Sequence, residues 1–202
     1  SIWYFNDRPW ESIADPGERR PRLALSQETF ERQQELWEEA VESLAPQREG
    51  VVDVYGLVFA PYAYEDVFLR ESAMVADVLA ERFEAQGRVL RLLNHATTAH
   101  TLPWATPLNL HRAVAALAER MDREQEVLGV YSTSPGASNF RLAAEPWPLQ
   151  VPWLTPQDLR EALDTAGIRH RVVAVSACYS GGWVEPLAGD TTLVMTAADP
   201  DH

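Results

Sequence analysis

The chain contains no lysine. All 17 of its basic residues are arginine, and they are outnumbered by 30 carboxylates, for a formal net charge of −13 over 202 residues. That balance excludes the basic footprint a nucleic-acid binder needs, and it disfavours docking on an anionic membrane surface. An all-arginine basic set reads as a coding bias, that of a GC-rich bacterial genome, rather than as chemistry. Cys178 is the single cysteine, so no internal disulfide can form and thiol count says nothing about the redox compartment. No stretch approaches the roughly 18 continuous apolar residues of a membrane span. None of the five histidines has metal-ligand spacing with another histidine, cysteine or carboxylate, so neither a metal nor another cofactor is expected. The chain begins at Ser1 rather than methionine; the expectation is that an N-terminal piece, with room for a signal peptide or membrane anchor, lies outside it.

What is present is a core. Hydrophobic residues make up 46% of the chain, enough for one packed domain with an extension. Residues 1–25 read as an extended arm in which Trp3, Tyr4, Phe5 and Trp10 suggest docking on a groove. Ser26 can cap a helix to about Leu44, with Phe30, Leu36, Trp37, Ala40, Val41 and Leu44 on one face. Pro46 and Gly50 close this extension, dividing the chain into residues 1–49 and 50–202.

Beyond it, strands and helices alternate. Strands are expected at Val51–Phe59, Arg88–Leu93, Val127–Thr133, Arg171–Ala177 and Thr191–Thr196. Helices are expected at Glu65–Gln86, with Leu69, Ala76, Leu79, Ala80 and Phe83 inward, and at Leu108–Asp122. A further helix starts at the Thr155 cap, with Pro156 at its first position and Asp158 three residues after the cap, and ends at Gly167. The alternation predicts a mostly parallel sheet covered on both faces by helices, a three-layer α/β fold.

Cys178 falls where such a sheet carries its reactive groups. It follows the strand Arg171–Ala177 and precedes Tyr179-Ser180-Gly181-Gly182, which lifts the thiol to the carboxyl edge. The partner segment is Tyr131-Ser132-Thr133-Ser134-Pro135-Gly136, the end of another apolar strand. Together with Asp66–Glu71 and Met195–Pro200, these segments resemble the caspase-like cysteine peptidases, and more narrowly bacterial members of the legumain-type family, peptidase family C13. The resemblance spans roughly residues 50–202. It implies a caspase-like fold, a peptide or protein as substrate, Cys178 as nucleophile, and an oxyanion hole formed by the N–H groups of Gly136 and Cys178.

Three departures stand beside it. The family's catalytic histidine falls on Pro135, which has no ionisable group to activate a thiol. Ser176 stands two residues before the cysteine, where eukaryotic legumains carry an acid that helps select asparagine. The chain also ends at His202, before the further structure that the family carries, so a missing C-terminal part is expected. Of the histidines, His95 and His100 follow the second strand at the correct edge, His111 sits in a helix, His170 precedes the fourth strand at the far end, and His202 is terminal. The expectation is a C13-like peptidase homologue whose activity is impaired by loss of its base, the alternative being a pseudopeptidase that binds a peptide or protein partner.

Overall fold

In a computed structural model, the chain is described at residues 23, 25–146 and 148–201. The aromatic arm at Trp3–Trp10 and the terminal His202 lie outside the described residues. Five strands form one sheet: β1 (Val54–Ala60), β2 (Val89–Leu93), β3 (Val127–Thr133), β4 (His170–Ser176) and β5 (Thr192–Thr196). Their order is β2-β1-β3-β4-β5 and every pairing is parallel. The helices are α1 (Gln27–Glu42), α2 (Asp66–Arg82), α3 (Pro107–Arg120), α4 (Pro156–Ala166) and the short α5 (Val184–Leu187). This is the three-layer α/β architecture of the caspase-like type.

Local chemistry places the helix starts. Ser26 accepts the Thr29 N–H at 3.2 Å to open α1, and Thr106 accepts the Asn109 N–H at 3.1 Å to open α3. At α4 the cap is reciprocal: Thr155 Oγ1 accepts the Asp158 N–H, and the Asp158 carboxylate accepts the Thr155 N–H. Pro156 at the first position has no N–H to leave unpaired, and Gly167 at φ +69° turns the chain out.

Handedness distributes the helices. The step from β1 to β2 runs opposite to the later steps, so right-handed crossovers put α2 on one face and α3 and α4 on the other. The α3–α4 face carries the main core: Tyr55, Leu57, Phe59, Leu90, Leu92, Leu128, Val130, Val173 and Val175 meet Leu110, Leu117, Leu159 and Leu163. Trp37 and Leu44 of the α1 region join this same core. On the opposite face, Leu79 of α2 lies against the two strand glycines Gly56 and Gly129, which leave room for it.

The structure differs from the sequence expectation in four places. β1 starts at Val54, not Val51, because Val51 and Val52 face solvent and Asp53 is drawn into the Arg48 turn by the Arg48 N–H at 2.7 Å and by its guanidinium. Burial alone would raise the Asp53 pKa, but the Arg48 bonds hold it below the ordinary carboxylate value. α2 stops at Arg82, not Gln86: Glu84 takes φ +54° and the Ala85 N–H returns to the Leu79 carbonyl, leaving Phe83 exposed rather than inward. A 3₁₀ turn, Ser180–Trp183, and α5 follow Cys178 where only a glycine turn was read. Last, among the described residues α2 covers only the β1–β2 part of its face. Over β3–β5 the strip Tyr131, Val172 and Ala174 is half-buried, and Leu193 and Met195 are 56% and 48% exposed.

α1 is fixed to the loop after β2 by one buried side chain. Gln33 Nε2 donates to the carbonyls of Ala99 (2.7 Å) and Leu102 (3.0 Å), and its Oε1 accepts the Trp104 N–H (2.8 Å). Gln33→Ala leaves two buried backbone groups and one half-buried carbonyl without this partner, and the expected loss is about 2–3 kcal/mol in a single urea transition. A loss under about 0.5 kcal/mol, the range of a featureless surface change, would show that this contact does not hold α1.

Candidate active site

β3 and β4 pair over seven positions, from Val127↔His170 to Thr133↔Ser176. The register delivers two turns to the same edge of the sheet: Ser134-Pro135-Gly136 from β3 and Ala177-Cys178-Tyr179 from β4. The Ser134 N–H continues the ladder to the Ser176 carbonyl at 3.4 Å, and the buried Ser134 hydroxyl donates to the Ala143 carbonyl at 2.6 Å. Gly136 is buried against the backbone of Cys178, so closely that a Cβ at Gly136 would collide with the Cys178 carbonyl oxygen. Among the described residues neither the Gly136 N–H nor the Cys178 N–H donates a hydrogen bond. Two touching backbones with unspent donors are suited to receive an oxygen that becomes negative.

The thiol itself is exposed and free. The turn that presents it is sharp: Tyr179 takes φ +56°, ψ +16°, an unusual place for a non-glycine residue. Contacts on both sides hold it there. The buried Ser180 hydroxyl accepts the Ala198 N–H at 3.1 Å, and Trp183 Nε1 donates to the Phe140 carbonyl at 2.8 Å. The two glycines are close-packing residues: a Cβ at Gly181 would come to 2.5 Å from Pro200 N, and one at Gly182 would strike the Phe140 ring.

The position before Gly136 is Pro135, whose carbonyl accepts the Ala143 N–H at 3.0 Å. No described histidine shares this edge between β3 and β4. His95 follows β2, three strand spacings from β4, or roughly 14 Å. It is committed elsewhere: Nε2 lies 3.0 Å from Asp66 Oδ1, while Nδ1 accepts the Thr97 N–H at 3.2 Å. His100 is exposed on the α1 side, where its carbonyl accepts from Arg32. His111 is on α3, and His170 opens β4, eight residues or roughly 26 Å of strand from Cys178.

Sequence reading missed a carboxylate at the site. Glu71, one turn into α2, accepts the Thr133 hydroxyl at 2.5 Å and the Ser176 hydroxyl at 3.1 Å, tying the ends of β3 and β4 together from the α2 face. Tyr131 lies beside it, and its phenol is pushed up to about 12, first by burial and then by the neighbouring Glu71. The available signal was Glu71's row on the helix: it sits four and eight residues before Val75 and Leu79, and Leu79 lies against the sheet at Gly56 and Gly129.

A parallel sheet presenting a thiol and two free amides at its carboxyl edge defines a candidate acyl-transfer site. Comparison with known proteins agrees with that class. Residues 114–202, which include β3, β4, β5 and both turns, match the family model described as the Peptidase C13 family. The match supports a legumain-like cysteine-peptidase homologue. No curated protein matches the chain.

Two measurements test this geometry. Gly136→Ala forces the Cys178 backbone aside and should cost about 1–3 kcal/mol by overpacking. Gly129→Ala, whose added Cβ would find nothing closer than 3.7 Å, should be neutral or stabilising by up to about 1 kcal/mol. Equal tolerance of the two would mean that the strand ends are not in contact. The second measurement uses the missing lysines. Between pH 10 and 12 an unfolded tyrosine loses its proton while folded Tyr131 keeps it, so the native state binds more protons and stability falls as pH rises. Tyr55 is raised too, mainly by burial. Unfolding from pH 8 to 11 should show a loss above pH 10 that is smaller in Tyr131→Phe; an identical loss would place the shift elsewhere.

Proposed function

We propose that the protein is a legumain-type cysteine-peptidase homologue in which Cys178 keeps the nucleophile's place and Gly136 and Cys178 supply the oxyanion hole, with hydrolysis impaired because Pro135 stands where the base belongs. The observation that supports this reading is the contact of Gly136 with the Cys178 backbone, which brings together two residues whose N–H groups donate no hydrogen bond among the described residues, beside an exposed cysteine. In that site the peptide carbonyl takes up the thiolate sulfur, its oxygen is held by the two amides, and the amine leaves once it has gained a proton. The donor of that proton is what Pro135 does not provide. A positioned base contributes about 10²–10⁴-fold in rate, and the reading implies a deficit of that order. The absence of any described imidazole at this edge also favours a second reading, a pseudopeptidase that binds a peptide or protein partner in the cleft without cutting it.

Three experiments separate these readings. Alkylation of Cys178 by iodoacetamide should be slow at pH 6 and accelerate toward pH 9, because only thiolate reacts; a fast, flat profile down to pH 5 would mean that a base or cation activates the thiol and would overturn the impaired-base reading. Pro135→His should raise cleavage of a mixed peptide panel by about 10²-fold or more, and Cys178→Ala should abolish it. A folded Pro135→His protein that cleaves nothing but retains measurable peptide affinity supports the pseudopeptidase reading, and one that neither cleaves nor binds peptides overturns both.

A further inference from the structure

Glu71 is half-buried, and no arginine among the described residues pairs with it. Its partners are the two hydroxyls that end β3 and β4, one on each carboxylate oxygen, with the Tyr131 phenol beside them. An ionised carboxylate has about four acceptor sites, so these hydroxyls do not exhaust it and none of them neutralises its charge. Ser176, which holds it, lies two residues before Cys178, or roughly 7 Å along the strand direction. Further down the same face, between the flank of α2 and the edge of the sheet, lies the uncovered strip of Tyr131, Ala174 and Met195. A carboxylate without a counter-charge, at the end of an apolar strip and one side-chain length from a nucleophile, is a receptor for a cation on a long stem.

We propose that Glu71 is the specificity-determining residue of the cleft and that it selects a basic residue, arginine above all, at the position whose carbonyl meets Cys178. The guanidinium takes free acceptor capacity of Glu71, and its methylene stem spans the roughly 7 Å between Cys178 and the level of Ser176. Arginine fits better than lysine because a planar fork can serve both a carboxylate and the neighbouring hydroxyls. Leucine would leave the Glu71 charge without a counter-charge; aspartate would set two like charges together. This inference rests on the cleft binding peptides as proposed above, but it does not require turnover.

The test uses the protein as it is and reads labelling rather than hydrolysis. Three peptidyl chloromethyl ketones, differing only in arginine, leucine or aspartate at the ketone-bearing residue, are reacted with the protein. The Cys178 sulfur displaces chloride, and the adduct is counted by intact mass and located by peptide mapping. Rates are divided by the iodoacetamide rate of the same sample, which removes differences in thiol reactivity. The arginine reagent should react at least about tenfold faster than the leucine reagent, with aspartate slowest. Glu71→Gln, and the shortened Glu71→Asp as a second variant, should reduce the arginine rate by about tenfold and change the leucine rate by less than about threefold. Equal arginine and leucine rates in the unaltered protein overturn the inference whether or not a variant folds, as does a preference that survives Glu71→Gln. If iodoacetamide labels Cys178 and none of the three peptides does, the peptide-binding cleft itself is refuted, and the selection with it.

Discussion

The parallel pairing of β3 with β4 is the constraint on which the site depends. Each strand separately carries an ordinary turn, Pro135-Gly136 in one and Cys178-Tyr179 in the other. Only the register Thr133↔Ser176 brings the two turns into contact and aligns their hydroxyls for Glu71. A shift of one residue would send Thr133 or Ser176 to the opposite face, because side chains alternate along a strand. The register is held from both sides. Val130, Val173 and Val175 commit one face to the core, and the Glu71 clamp holds the other. The backbone contact at Gly136 follows from this double fixation.

Much of the fold was legible because its signals are local. The Thr155-Pro156-Asp158 cap, the Gly167 terminus and the β3 strand Val127–Thr133 stand where the sequence reading put them, each set by residues adjacent in the chain. What escaped was set at a distance. The start of β1 moves because Arg48 holds Asp53, and the end of α2 moves because Glu84 takes a left-handed conformation that its residue type does not announce. Gly181 and Gly182 were read as a turn. Their role is to admit the Asp199-Pro200 backbone and the Phe140 ring, neighbours that no spacing rule reveals. The site was legible to the same degree. The sequence pointed to the turns that carry Cys178, Pro135 and Gly136, which the β3–β4 register brings together, whereas Glu71 reaches the strand ends from a helix more than a hundred residues before Ser176.

Helix α2 has a divided role. A helix covering a parallel sheet ordinarily buries a broad apolar stripe, yet the one fully buried residue of α2 is Ser72, which receives Arg91 from the strand below. The helix trades apolar burial for polar ties: Ser72 and the Leu69 carbonyl to Arg91, Asp66 to His95, and Glu71 to the strand ends. It covers the sheet incompletely, and of the polar groups it carries Glu71 is the one that reaches the strand ends below Cys178. The strained Tyr179 turn on the opposite flank is held in the same manner, by Ser180 and Trp183.

The bare strip over β4 and β5 has a colloidal consequence. Among the described residues β5 is an edge strand, with unpaired backbone along one side and with Leu193 and Met195 open to water. Such an edge is a template on which a second chain can add a strand. Nothing local blunts it beyond Asp190 before the strand and Asp199 and Asp201 after it. Mutual repulsion opposes such an addition, through the excess of 30 carboxylates over 17 guanidinium groups. That barrier is a property of the solvent as much as of the protein. Acid that protonates the carboxylates, around pH 4, or salt that screens them to a few ångströms, removes it. The fold can then remain intact while its edges become adhesive, so that precipitation in mild acid need not signal unfolding.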